Sequence, residues 1–289
     1  MDFRSAEELL EICKNEGIPV SKVMLEREIS CGGMSAEAAE RKMEKALSIM
    51  KASVRKAFTD PQPSMSGLLN GEAKKVELYE KKHPLCGSLT SRIIQYTMAV
   101  LEVNASMGVI VAAPTAGSSG VLPGTLIALQ EEHGMSDELL CEGLFNAAAV
   151  GYLLTRNASV SGAEAGCQAE IGAASAMTAS AVTEMMGGTP DMCLQAASMA
   201  ISNLLGLVCD PVAGLVEIPC QSRNVTGALN ALACAEIALS GVPCYIPFDQ
   251  MAEAMLKVGR GLPSELRETA MGGCAATPAG CSMKCSVCE

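Results

Sequence analysis

No tryptophan occurs in this chain, and aromatic residues make up only 3% of it. A sheet core wants aromatic and β-branched side chains, so their scarcity disfavours a β protein. Ala, Leu, Ile and Val must fill the interior instead, with 18 Met taking up irregular gaps. Small residues let helices approach closely, and the expected fold is all-α, a compact multi-helix domain with Gly/Pro-rich loops. Basic residues are also in deficit: 21 Lys and Arg stand against 32 Asp and Glu, a net charge of −11. No basic stripe appears, which excludes nucleic acid as a partner, because phosphate neutralisation needs clustered cations. Long apolar runs are missing too. Mean hydropathy is +0.27, yet Glu102 and Asn104 interrupt one candidate span, and Gln195, Ser198, Ser202 and Asn203 another. Without an unbroken run of about 18 apolar residues, no membrane span is expected. The start, Met1-Asp-Phe-Arg-Ser-Ala-Glu-Glu, lacks the basic-then-apolar order of a signal peptide, so a cytoplasmic location is expected.

Histidine occurs only as His83, before Pro84, and His133, before Gly134, and neither sits in a catalytic motif. His133 reads as the end of a helix, on the negative end of its dipole. Cysteine, by contrast, is abundant, at 14 residues. A disulfide framework suits short secreted chains, so most of these thiols read as core residues. Cys141, Cys193 and Cys234 lie inside helical patterns and belong to that group. Three others sit beside turn residues: Cys167 after Ser161-Gly-Ala-Glu-Ala-Gly166, Cys209 before Asp210-Pro211, and Cys220 after Pro219. Rigid turns hold ligands still, and three thiolates on one centre leave a coordination position open for chemistry. The spacing, 42 residues and then 11, matches neither zinc-finger nor ferredoxin patterns. Spacing alone therefore does not decide the metal. The tail adds Cys281 and Cys285-x-x-Cys288, which could hold a separate metal, fill an open fourth position, or stay as free thiols.

Along the chain, residues 2–16 and 35–58 read as amphipathic helices, the second capped by Ser35, with Glu28 and Cys31 in the connection between them. Asp60-Pro-Gln-Pro-Ser-Met-Ser-Gly67 breaks the pattern and reads as a loop or boundary. Further helices are expected over 88–107, 125–132, 137–155, 165–187, 190–207, 225–240 and 248–259, the last capped by Asp249. Residues 274–289 read as a flexible tail, giving a division into 1–60, 61–273 and 274–289. The segment Pro114-Thr115-Ala-Gly117-Ser118-Ser119-Gly120 gathers hydroxyls and glycines ahead of a helix. Such a segment can receive a carboxylate or phosphate, or can simply cap the helix. It is not a P-loop, since the Gly-Lys-Ser/Thr ending is absent.

Four segments together resemble a known family: Val111–Gly124, Asn157–Glu170, Gly206–Glu217 and Ile218-Pro-Cys220. They are similar to the α chain of bacterial iron–sulfur L-serine dehydratases, and the likeness runs from about Met34 to Pro278. The resemblance implies an all-helical catalytic domain holding a [4Fe–4S] cluster, and no PLP. It implies Cys167, Cys209 and Cys220 as cluster ligands, with Cys288, nearest the chain end, as the expected fourth. It implies that Thr115, Gly117, Ser118, Ser119 and Gly120, with Asn157, bind L-serine, the loop taking the carboxylate. A separate β chain is implied as partner, with homo-oligomer formation left open. Two departures stand out: Arg156 replaces a neutral polar residue, and the tail is unusually rich in cysteine.

The implied reaction turns L-serine into pyruvate and ammonia by β-elimination of water. The proton acceptor would come from the β chain or from Glu164, whose burial would raise its pKa. Glu164 and Glu170 read more simply as structural, and Arg223 as either a carboxylate clamp or a helix-start salt bridge. Lys74, Lys75 and Lys257 lack the surroundings of a Schiff-base lysine. The alternatives are a related lyase acting on L-cysteine and a non-enzymatic metal- or redox-sensing protein.

Overall fold

The computed structural model describes residues 1–82 and 85–288, with the last five as backbone only. His83 and Pro84 lie outside the described residues. The described chain is helical throughout, with no strand and a single isolated bridge between Cys209 and Arg267. The helices are α1 (Ala6–Glu16), α2 (Val20–Ser30), α3 (Ala36–Thr59), α4 (Glu72–Glu80), α5 (Ser88–Ala105), α6 (Val121–His133) and α7 (Asp137–Asn157). After them come α8 (Gly162–Ala165), α9 (Ala173–Met185), α10 (Pro190–Ser202), α11 (Cys220–Leu239), α12 (Phe248–Arg260) and α13 (Pro278–Cys288). None is long and apolar enough to cross a membrane.

Helix α9 is the axis of the fold. Every residue from Ala173 to Thr183 is buried, and α6, α7, α10 and α11 pack around it. A sequence of Ala, Ser and Thr makes this workable, because small side chains bring the neighbouring backbones close. The hydroxyls are all answered. Thr178 and Thr183 donate back to the carbonyls of Ala174 and Ala179, at 2.8 and 2.7 Å. Ser175 reaches the Gly227 carbonyl at 2.8 Å, and Ser180 reaches Asn146 Oδ1 at 2.6 Å. Buried polar groups that keep their partners do not weaken a core.

Local rules start several helices as expected. The Ser35 hydroxyl accepts from Ala38 N–H, Ser136 caps α7, and Thr189 caps α10 with Pro190 in its first turn. Four expectations need correction. Residues 20–30, read as a connection, form α2, whose Val20, Val23, Met24 and Leu25 are buried against the core. The single helix expected over 165–187 is interrupted: Gly166 takes a left-handed φ of 76°, and Gln168–Gly172 form one π turn before α9. Residues 274–288, read with Glu289 as a flexible tail, complete a 3₁₀ turn (Gly273–Ala276) and then form α13, opened by Pro278 with Thr277 Oγ1 accepting from Gly280 N–H. Asp249 does not cap its own helix. It accepts from Ala6 N–H at 2.9 Å and Glu7 N–H at 3.2 Å, capping α1 from the far end of the chain.

Candidate active site

Three turns deliver the cysteines of interest to one neighbourhood. Cys167 follows Gly166, where a Cβ would come within 2.9 Å of the Leu207 carbonyl, so only glycine fits. Next to it, Gln168 fastens three segments: its N–H donates to Leu207, its side chain to the Met255 carbonyl, and its Oε1 accepts from Gly206 N–H. Cys209 is held by backbone bonds to a strap running from Ser264 to Cys274: its N–H donates to the Leu266 carbonyl at 2.8 Å, and its carbonyl accepts from Glu268 N–H at 2.7 Å. Cys220 is the first residue of α11. The turn before it is clamped through Glu217, a buried carboxylate that accepts from Ser64 Oγ at 2.6 Å, Ser66 N–H at 3.2 Å and Ser66 Oγ. Asp210, also buried, takes Arg223 at 2.6 Å and Cys274 N–H at 2.5 Å.

The three thiols sense one another. Burial is the largest influence on each and pushes Cys167 and Cys220 up to about 12, with Cys209 raised as well. Beyond burial, Glu170 acts on Cys167, Cys167 on Cys209, and Cys209 on Cys220, while Arg223 opposes the rise at all three. No disulfide joins the described cysteines. Glu170 is the carboxylate of this neighbourhood. Its Oε2 lies 3.9 Å from Cys209 Sγ, and its Oε1 accepts from Thr115 Oγ1 at 2.7 Å. Burial first, and Glu268 after it, raise its pKa against the pull of the Thr115 bond. The walls around it are backbone: a Cβ on Gly162 would stand 2.8 Å from Glu170 Oε2 and 3.0 Å from Cys209 Sγ.

The loop ahead of α6 is tied to the same place by Asn224, one turn after Cys220. Its amide donates to the Gly117 carbonyl at 2.7 Å and accepts from Gly120 N–H at 3.1 Å. Ser118 accepts from Thr115 N–H at 3.4 Å and donates to the Ala113 carbonyl at 3.3 Å, while Ser119 Oγ is buried without a partner. Among the described residues, no three of His, Cys, Asp and Glu close tightly enough to hold a single metal ion.

The family described as serine dehydratase alpha chain matches residues 15–275. The chain belongs to that family. It is 46% identical over 279 residues to a probable L-serine dehydratase alpha chain of Bacillus subtilis, covering 96% of this chain and 93% of the relative. It is 40% identical over 279 residues to the L-serine dehydratase alpha chain of Peptoniphilus asaccharolyticus, covering 96% of each. Escherichia coli L-serine dehydratase TdcG is 33% identical over 284 residues, and the match takes in 95% of this chain but only 62% of TdcG.

Within this α-chain fold, the expected site residues separate. Cys167, Cys209, Cys220, Thr115 and Gly117 share the Glu170 neighbourhood. Ser118, Ser119 and Gly120 are buried and belong to the frame of the loop. Asn157 is exposed at the end of α7 and donates to the Arg4 carbonyl at 2.7 Å, tying down the N-terminus instead of joining the thiols. Glu164 lacks the burial expected of a base. It is exposed, ion-paired with Arg260 at 3.2 Å, and its pKa is lowered by Ser159 first and Arg260 second. Arg223 is the salt-bridge residue, already held by Asp210 and the Val208 carbonyl. The Cys288 side chain lies outside the described residues. Sequence reasoning missed the central place of Glu170, although it is the only charged residue between Ala165 and Thr183. It also passed over Glu217 and Glu268.

Proposed function

We propose that this chain is the α chain of an L-serine dehydratase, converting L-serine to pyruvate and ammonia with a β chain as partner. The observation that carries the reading is the convergence of the buried Cys167 and Cys209 and the half-buried Cys220, none in a disulfide, on Glu170 and the Thr115 loop. The donor set suits a multinuclear iron–sulfur group. Two buried thiols and a half-buried one that raise one another's pKa need a cation to ionise, and thiolate sulfur favours zinc or iron–sulfur clusters. A single zinc ion would draw its thiolates to one point, whereas a four-iron cube offers separate corners. Cys167, Cys209 and Cys220 would hold the [4Fe–4S] cluster, whose open iron supplies the Lewis acidity that helps hydroxide depart.

The chain's own residues do the rest. Gly162 and Gly117 let the backbone close in on the Glu170 carboxyl, since a Cβ on either would stand 2.8 or 3.2 Å from its oxygens. Thr115 Oγ1 fixes the orientation of that carboxyl, so Glu170 Oε2 is the atom placed to take the α-proton of L-serine. Loss of the α-proton and of hydroxide from Cβ gives aminoacrylate, which tautomerises to the imine and hydrolyses to pyruvate and ammonia. The buried Asp210 and the half-buried Arg223 form an ion pair that keeps the turn after Cys209 fixed.

Anaerobic reconstitution with iron and sulfide, with the β chain present, tests this reading by pyruvate release from L-serine, with L-cysteine as comparator. Broad visible absorption that fades in air should accompany turnover, and serine at position 167, 209 or 220 should abolish both. Saturation by zinc with no pyruvate formed would overturn the proposal.

A further inference from the structure

The strap beside Cys209 carries a strained residue that its packing does not need. Glu268 has a φ of +64°, and Ala270, two residues on, has +55°. A left-handed backbone costs a residue with a Cβ on the order of 1 kcal/mol, and strain of this kind gathers at functional sites. Here the Glu268 N–H bond to the Cys209 carbonyl, at 2.7 Å, and the bridge between Cys209 and Arg267 hold the backbone in place. A merely solvated surface glutamate has no use for such a fixture.

Every other carboxylate near the thiols is taken. Glu170 receives Thr115, Asp210 receives Arg223 and Cys274, Glu217 receives Ser64 and Ser66, and Glu164 receives Ser159 and Arg260. Glu268 is exposed and has no hydrogen bond or ion pair from its side chain among the described residues. Its negative charge nevertheless reaches both Glu170 and Cys209, raising each. An unpaired carboxylate whose backbone is anchored at the edge of the thiol neighbourhood calls for a cation that arrives with the substrate.

We infer that Glu268 receives the α-ammonium group of the amino-acid substrate, so that it is a specificity residue of this site. The assignment rests on the dehydratase reading above. It places the one positively charged group of L-serine against the one carboxylate left open, and it predicts discrimination against hydroxy acids that lack the amine. No proton transfer at Glu268 is needed; the interaction is a charge-assisted hydrogen bond.

The test uses the reconstituted enzyme with its β chain and compares Glu268→Gln with the wild type on two ligands. L-Serine is followed by pyruvate release, and 3-hydroxypropionate, which is serine without its amine, is measured as a competitive inhibitor. The variant should raise KM for L-serine roughly 10–100-fold, the range for one hydrogen bond to a charged group. The inhibition constant of 3-hydroxypropionate and the visible absorption should stay within about twofold of wild type. Glu268→Gly supplies a second readout: it should raise KM in the same way while raising the melting temperature, because glycine relieves the left-handed strain. Equal weakening of both ligands, or an unchanged KM with active wild type, overturns the inference alone. Wild type that releases no pyruvate from L-serine overturns the dehydratase reading and this one with it.

Discussion

Gly259→Ala is expected to destabilise the protein through the turn that presents Cys167. Gly259 is buried in α12, and a Cβ built there would lie 2.6 Å from the Ala165 Cα and 2.7 Å from its carbonyl oxygen. Carbon atoms rest about 3.5–4.0 Å apart, so α12 and α8 would have to separate by about 1 Å. Neither side yields easily. Phe248, Met251, Ala252 and Met255 fix α12 in the core, and Ala165 belongs to backbone that leads straight into Gly166 and Cys167. Overpacking of this kind costs about 1–3 kcal/mol, and a clash with main chain belongs at the upper end. Alanine also gains about 1 kcal/mol over glycine inside a helix, which leaves a net loss of roughly 2 kcal/mol. For a chain of this size that is a fall in Tm of roughly 4–8 °C. Gly172→Ala is the control, since its nearest neighbours are Leu204 Cβ at 3.8 Å and Met255 Sδ at 4.0 Å, and it should be neutral or stabilising. Urea unfolding of both variants decides the matter. If Gly259→Ala unfolds with the wild-type midpoint, or the two variants fall together, the close approach is not what holds this turn.

Three further outcomes are expected. Glu217→Ala strips the acceptor from Ser64 Oγ and from both Ser66 groups; it should cost roughly 2–4 kcal/mol in urea and speed limited proteolysis within residues 60–67. Glu102 is buried, and desolvation raises its pKa despite bonds from Ala73 N–H and Gln221. The native state thus binds this proton more tightly than the unfolded chain, so the contribution is complete below the unfolded pKa and lost as pH climbs through the folded one. Glu102→Gln should therefore gain stability relative to wild type as pH rises from about 4 toward neutrality, measured by urea midpoints at successive pH values. Finally, iodoacetamide should label the exposed Cys31, Cys86, Cys274 and Cys281 in the native protein and leave Cys193 and Cys234 untouched, as peptide mass spectrometry would show. Labelling of Cys193 before unfolding would contradict its complete burial and raised pKa.

What the sequence makes legible is whatever depends on neighbours in the chain. Ser35 caps because its hydroxyl meets an N–H three residues on, and the Asp60–Gly67 break follows from two prolines and a glycine. The three cysteines stood out because their turns are written beside them. Helix α2 was hidden because its buried face is brief and its Lys22, Glu26 and Arg27 resemble a polar connection. The carboxylates show the limit more sharply. Glu164 and Glu170 sit six positions apart in one motif, yet Arg260 draws one outward while the π turn holds the other half-buried beside Cys209. Burial of a single side chain is decided by packing partners far away in the sequence, and the backbone of Glu268 is held by a bond to the Cys209 carbonyl that no local pattern announces.

The cap on α1 bears on how the molecule is made. Asp249 lies 243 positions beyond the Ala6 N–H it binds. As the polypeptide leaves the ribosome, α1 emerges with the Ala6 and Glu7 amides answered only by water, while Ser5 caps the Glu8 N–H. It is fastened once the last sixth of the chain has been synthesised and α12 has docked. The start of α1 thus waits for α12 to complete its cap.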